Sequence, residues 1–350
     1  MADVLQFADI DDAVLATYQN LVKKGAFLDM QTDLTDHVAV REMWKEKQKR
    51  FDGGNDWEFQ IQVDHNHSAR AVGMFQTDGT EMLDTLVEGK VQPRHVNAHY
   101  IYDMRDKAFQ RGGKAIVDLV FSRYVAMMVS FYEVMEGFLW GSPLVTDNKS
   151  PHGISFWVQK GSDGDDGSFG GLDPSGYEAV GRANILTSAQ PRWANYFADY
   201  ESVSIEDLVR KMRRGVRQTN FRSPVSHSQP ELTAMKNGIY VGDTVIGLME
   251  ELLRTQNMNL GNDLAAKDGA TIFKGTPITY APFLDSDSEN PIYMLDWKWL
   301  TVGVLAGWEE NLTAPYMVPG KHLVKRVDLD VTLELICTNL RRQSVYAQIA

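Results

Sequence analysis

The stretch HLVKRVDLDVTLELIC, from His322 to Cys337, alternates apolar and polar side chains over most of its length. Leu323, Val327, Leu329, Val331, Leu333 and Leu335 share one phase, interrupted only by Lys325. Arg326, Asp328, Asp330, Thr332 and Glu334 share the other. Successive side chains of a strand point to opposite faces, so this period of two predicts a β-strand with one face on a core. It runs well past the about five or six residues usual for a strand. A strand of that length needs a broad apolar surface to lie on. Cys337, the only cysteine of the chain, falls in the apolar phase, where a thiol is expected to be buried and inert. One cysteine also rules out an intrachain disulfide and a cysteine-rich zinc site.

Two further stretches alternate. Trp57, Phe59, Ile61 and Val63 alternate with Glu58, Gln60, Gln62 and Asp64. In RHVNAHYIYD, Val96, Ala98, Tyr100 and Tyr102 oppose Asn97, His99, Ile101 and Asp103. The two read as the arms of one extended hairpin, whose tip holds turn signals at Asp78-Gly79 and Gly89. Such a hairpin is marginal alone in water and needs something to lie on. PHGISFWVQK (Pro151 to Lys160) reads as another strand, entering the loop GSDGDDGSFGGLDPSG.

Helices are expected in between. Ile116, Val117, Val120, Tyr124, Met127, Met128, Phe131 and Met135 recur at helical spacing from about Asp106 to Trp140, ahead of Gly141 and Pro143. Ser204 to Asp207 opens a helix with a capping-box-like start, and Arg210, Lys211, Arg213, Arg214 and Arg217 make it the most basic cluster of the chain. A further helix starts near Asp243 and stops before Gly261. Two more are expected in the first fifty residues, from Asp11 to Lys24 and from Thr35 to Arg50. The chain is therefore of α+β class, with extended limbs around a compact middle.

Chemistry is sparse. No nucleophile elbow, H-E-x-x-H pair or Rossmann glycine fingerprint is present. RGGK at Arg111 lacks the spacing of a phosphate loop, and the Asp/Gly-rich loop lacks the closing Glu of an EF-hand. Asp64, His65 and His67 form the one candidate metal group, with His95 or His99 as a third imidazole. Strand phase puts Asp64 opposite the two histidines, which leaves too few ligands for a structural zinc. No metal, cofactor or catalytic residue is therefore expected. The net charge of −12 over 350 residues argues against a protein that coats nucleic acid. No apolar run approaches the roughly 18 residues of a membrane span, and the N-terminus lacks a secretory signal pattern, so a soluble intracellular product is expected.

Several blocks resemble the major capsid proteins of tailed bacteriophages, which share the Hong Kong 97-type fold. They are PHGISFWVQK, PRWANYFADYESVSIEDLVRKMRRGVRQTNFRSP, GIYVGDTVIGLMEELLRTQNMNLGNDLAAKDGATIFKGTPITYAPFLD, and NPIYMLDWKWL with the long strand after it. Together they cover most of Pro151 to Ala350. The resemblance implies an N-terminal arm at residues 1–50 and an extended E-loop hairpin at 51–105. It implies the spine helix of a peripheral domain at 106–142 and an axial domain at 143–310. Residues 311–337 become long peripheral strands, and 338–350 a return to the axial domain. The arm is too short to include a cleavable scaffolding segment, so a separate scaffolding protein or prior processing is expected.

The implied function is an icosahedral head shell, built from hexamers and pentamers of this chain in the host bacterial cytoplasm and carried in the virion. The implied partners are the chain itself, a scaffolding protein, a portal protein and double-stranded DNA packaged without sequence-specific binding. A decoration protein is compatible with the shell, and no membrane is involved. Trp57, Phe59, Ile61, Val63, Tyr100, Tyr102, Arg210, Arg213, Arg214 and Arg217 are the expected assembly contacts. Lys90 is the only lysine of the E-loop segment, and nothing in the sequence nominates a cross-linking partner for it. An encapsulin-like nanocompartment shell and a soluble metal-dependent enzyme are the competing readings.

Overall fold

The computed structural model describes residues 37–44, 48–62, 71, 73–74, 85–105, 113–144, 146–161, 167–171, 185, 192–221, 237–257 and 271–349. The helix expected at Asp11 to Lys24, and Val63, Asp64, His65 and His67, lie outside them.

The long alternating run forms one strand, β14 (Val324–Cys337), of 14 residues. Its length is used on both edges. On one side β4 (Arg94–Asp103) pairs with it antiparallel over ten positions, from Val324↔Asp103 to Leu333↔Arg94. On the other side three short strands follow in turn: β13 (Tyr316–Met317), β12 (Asn311–Leu312) and β11 (Leu300–Leu305). The edge strand β1 (Gln48–Phe51) then adds parallel to β11, where the sequence reading carried a helix from Thr35 through Arg50. Val327, Leu329, Val331, Leu333 and Leu335 are all at most 2% exposed, as the alternation requires. The polar phase departs from the simple pattern, because Thr332 and Glu334 are buried as well. The C-terminal half of β14 is covered on both faces.

One cover is the 28-residue helix α1 (Gly113–Trp140), which packs on β4. Tyr124 meets Tyr100 edge-on at 6.4 Å, and Met127, Met128, Phe131 and Met135 are buried beneath it. The methionine-aromatic stripe is thus core, as its spacing predicts.

The other cover corrects the sequence reading. Within PHGISFWVQK the chain forms a single helical turn, α2 (Ile154–Trp157), rather than a strand. Ile154, Phe156, Trp157 and Val158 are all fully buried, so the segment is apolar all round, and short apolar runs carry no reliable period. Gly153 makes the reversal possible. A Cβ there would lie 2.1 Å from the Gly141 carbonyl oxygen and 2.4 Å from that of Phe138. Only glycine lets the chain double back against the end of α1. The Trp157 indole then donates to the Leu335 carbonyl at 3.1 Å, fixing α2 to β14.

A second correction concerns the hairpin. The strand β2 (Trp57–Gln62) pairs antiparallel with β3 (Leu86–Val91), from Trp57↔Val91 to Gln62↔Leu86, and not with β4. Pro93, which has no N–H to donate, stands between β3 and β4. Beyond it β4 is claimed along its whole length by β14.

The remaining strands build a second sheet among the described residues. Its order is β5 (Ser168–Gly171), β6 (Ala194–Tyr200), β15 (Ser344–Gln348), β10 (Ile292–Asp296), β7 (Asn237–Val241), β9 (Thr276–Tyr280) and β8 (Ile272–Phe273). The chain's last strand, β15, is central, parallel to β6 and antiparallel to β10. Two helices share a core with this sheet: α3 (Arg210–Gln218) and α4 (Asp243–Asn257). α3 contacts β6 and α4 contacts β9, so they sit toward opposite ends of the sheet.

Candidate assembly surfaces

Five of the six hairpin side chains named as assembly contacts are buried in the subunit, and the sixth, Val63, lies outside the described residues. Trp57 lies flat on Phe51, with ring centroids 4.5 Å apart and planes 3° from parallel. The backbone beneath is Gly303, where a Cβ would stand 2.7 Å from the Trp57 ring. Phe59 and Ile61 are each 6% exposed, Tyr100 6% and Tyr102 5%. These five side chains are consumed by the subunit's own interior, because β2 packs on the first sheet and β4, a strand of that sheet, packs on α1 by their apolar faces. Their polar faces remain outside. There Lys90 reaches Glu58 across the hairpin at 2.9 Å and Glu88 on its own strand at 3.4 Å. The bond to Glu58 lifts the Lys90 ammonium above its ordinary value and holds the Glu58 carboxyl below its own. Both groups are solvated, so the pair fixes register more than it stabilises.

The four arginines are placed differently. α3 is preceded by a π-helical turn at Ile205–Val209, capped by Ser204, whose hydroxyl accepts from the Asp207 amide at 3.2 Å. Asp207 reciprocates by accepting from the amides of Glu201 at 2.7 Å and Ser202 at 3.0 Å. Its other oxygen meets Lys211 Nζ at 2.8 Å. Burial opposes the charge of Asp207, yet Lys211 and the two amides outweigh it and hold its carboxyl below the ordinary range. The sequence signal for this start was a correct one. Leu208, Met212 and Gly215 face the sheet, and a Cβ on Gly215 would lie 1.8 Å from the Tyr346 hydroxyl. Helical periodicity turns Arg210, Arg213, Arg214 and Arg217 the other way, and all four are exposed. Two depressions of about 660 and 410 Å³ open among them. Glu206, Arg210 and Arg217 line both, and Glu201 lines the larger.

Several buried or half-buried carboxylates hold contacts that the sequence reading did not assign. Glu136, on the buried face of α1, accepts from the Ala39 amide at 3.0 Å, the Val40 amide at 2.8 Å and the Trp140 indole at 2.7 Å. Glu310 accepts from the Trp44 indole at 2.8 Å and the Tyr132 hydroxyl at 3.3 Å. Together they bind residues 37–44 to α1. The clue for Glu136 was its helical phase, shared with Tyr132, Met135 and Leu139. Glu334 accepts from the His152 amide at 2.7 Å, and its carboxylate lies 2.8 Å from His152 Nδ1. That pair joins the approach to α2 to the long strand.

Of the candidate metal group, His95 and His99 lie among the described residues. His95 Nδ1 is 2.7 Å from the Thr332 hydroxyl, and His99 stands in register with Asp328. Among the described residues no group of three or more His, Cys, Asp or Glu side chains is placed to hold a metal ion, and no helix is long and apolar enough to cross a membrane.

No protein-family model matches the chain, and no curated protein matches it. Solved structures do match, along nearly its whole length. A subunit of the cyanophage A-1(L) capsid is 12% identical, with a TM-score of 0.62 over 89% of this chain and 92% of that one. The capsid of a native GTA particle is 9% identical, with a TM-score of 0.59 over 90% and 91%. The mature capsid of bacteriophage PhiM1 is 10% identical, with a TM-score of 0.52 over 87% and 86%. The fold is that of phage-type capsid subunits. Identity this low with such coverage means that burial pattern and topology, rather than particular side chains, carry the likeness.

Proposed function

We propose that the protein is the major capsid protein of a tailed phage, assembling as hexamers and pentamers into the icosahedral head shell around double-stranded DNA. The observation that carries this is end-to-end likeness to subunits of three capsids, with about nine tenths of the chain aligned to each. A cargo-enclosing nanocompartment is the less favoured reading, since each of these neighbours is a phage or GTA capsid.

On this reading α1 is the spine helix, and the sheet built on β14 is the peripheral domain. The sheet carrying α3 and α4 is the axial domain, and the hairpin of β2 and β3 is the base of the E-loop. β11 pairs with β14, which supports drawing the domain border before Leu300 rather than after residue 310. β15 pairs between β6 and β10, which supports the return of the C-terminus to the axial domain. The arm is assigned to the residues before β1, since Gln48–Phe51 pairs within the β14 sheet, and scaffolding and portal proteins are the expected further partners.

The experiment is a shortened hairpin. Because Trp57, Phe59 and Val91 belong to the core, the strands must stay and only residues 63–84 are replaced by a short Gly-Ser link. The expected product is folded by circular dichroism but closes no shells under negative-stain electron microscopy. Normal shells from the shortened chain would contradict the assigned role of the hairpin.

A further inference from the structure

We infer that the arginine face of α3 docks on the acidic outer face of α4 in a second copy of this chain, pairing successive subunits around a ring. The inference rests on the capsid reading above and names the partner of its most basic surface. α3 holds Arg210, Lys211, Arg213, Arg214 and Arg217 and no acidic residue, in a chain whose net charge is −12. The four arginines are exposed on the side away from the sheet. α4 is built the opposite way. Val245 and Met249 are buried, while Asp243, Glu250 and Glu251 are exposed, and Arg254 is its only basic residue.

The topology gives the pairing its direction. α3 rests on β6 and α4 on β9, with β15, β10 and β7 between them. At about 4.8 Å per strand the two helices stand roughly 19 Å apart toward opposite ends of one sheet. Bringing the basic end of one copy to the acidic end of the next is a heterologous contact, and heterologous contacts repeat into rings when the rotation closes. Duplex DNA fits this surface less well. The carboxylate of Glu206 lines both depressions with Arg210 and Arg217, and that of Glu201 the larger one, where they would repel phosphate while helping to orient the guanidinium groups.

The test is a charge swap in the full chain, read by particle yield in sedimentation and electron microscopy. Arg213→Glu with Arg217→Glu is expected to lower the yield about tenfold or more, and so is Glu250→Arg with Glu251→Arg, because like charges then meet across the contact. All four changes together are expected to restore it to within about twofold of wild type. The milder pair Arg213→Gln with Arg217→Gln, read alongside, is expected to lower the yield even where the reversal impairs folding. Unchanged yield in the reversed or neutral variants overturns the inference, as does a fourfold variant no better than its parents. Duplex DNA bound by the isolated wild-type subunit and released in the Arg→Glu pair also overturns it. Wild-type protein that forms neither shells nor rings, with the scaffolding partner also supplied, removes the capsid reading, and the pairing with it.

Discussion

The Glu136 carboxylate accepts a hydrogen bond from the Val40 amide at 2.8 Å, across 96 residues of sequence. The bond matters because Ala39 and Trp140 donate to the same carboxylate, so one side chain satisfies two amides and an indole inside an apolar core. Glu136→Ala leaves those donors unmet and is expected to cost about 3 kcal/mol of stability, read from the denaturant midpoint. Burial raises the Glu136 carboxyl above its ordinary value, against the pull of its donors. A raised carboxyl contributes stability at acid pH and loses it as pH climbs through the folded-state value. Wild-type stability should therefore fall relative to Glu136→Gln as pH rises above about 4. A constant difference between the two across that window would disprove the assignment.

Three glycines make a graded set. Gly153→Ala meets backbone oxygens that cannot move away, at 2.1 and 2.4 Å. It is expected to destabilise by more than about 3 kcal/mol or to abolish soluble expression. Gly215→Ala meets the end of the Tyr346 side chain, which can shift, and should cost less. Gly247 lies within α4 with nothing within 4 Å of an added Cβ, so Gly247→Ala should stabilise by up to about 1 kcal/mol. Thermal melts of the three variants test the ranking, and a stable Gly153→Ala would refute the backbone account of α2.

Cys337 is fully buried, and burial pushes its thiol up to about 12. At pH 8 a disulfide-exchange reagent should leave the native protein untouched and label one thiol per chain once it is unfolded. Labelling of the native chain at the unfolded rate would show that the end of β14 opens freely.

How much of this was legible in sequence follows from where each signal is stored. β14, β2, β4, α1 and the start of the α3 segment were readable, because each writes its period or cap into neighbouring residues. Partnership was not. Nothing local says that β2 takes β3 and that β4 takes β14, since that choice depends on Pro93 and on a strand more than two hundred residues away. α2 misled for a related reason: its apolar run is short, and burial on every side removes the alternation that separates strand from helix. The same distinction governs the surfaces. The arginines of α3 were visible as a cluster and proved exposed, whereas Trp57, Phe59, Ile61, Tyr100 and Tyr102 were visible as apolar faces whose partner turned out to be the same chain. Glu136 escaped notice and Glu334 was read only as part of a polar strand face, because a buried carboxylate looks like any other until its donors are found.

The central claim is that this chain tiles a closed shell, and electron cryomicroscopy of the purified full-length protein tests it most directly. The account predicts closed particles with icosahedral symmetry, whose subunits sit in fives and sixes. Each should show α1 as a rod about 42 Å long, from 28 residues at about 1.5 Å each. Discrete monomers or small closed oligomers at every protein concentration, with the scaffolding partner also supplied, would contradict it.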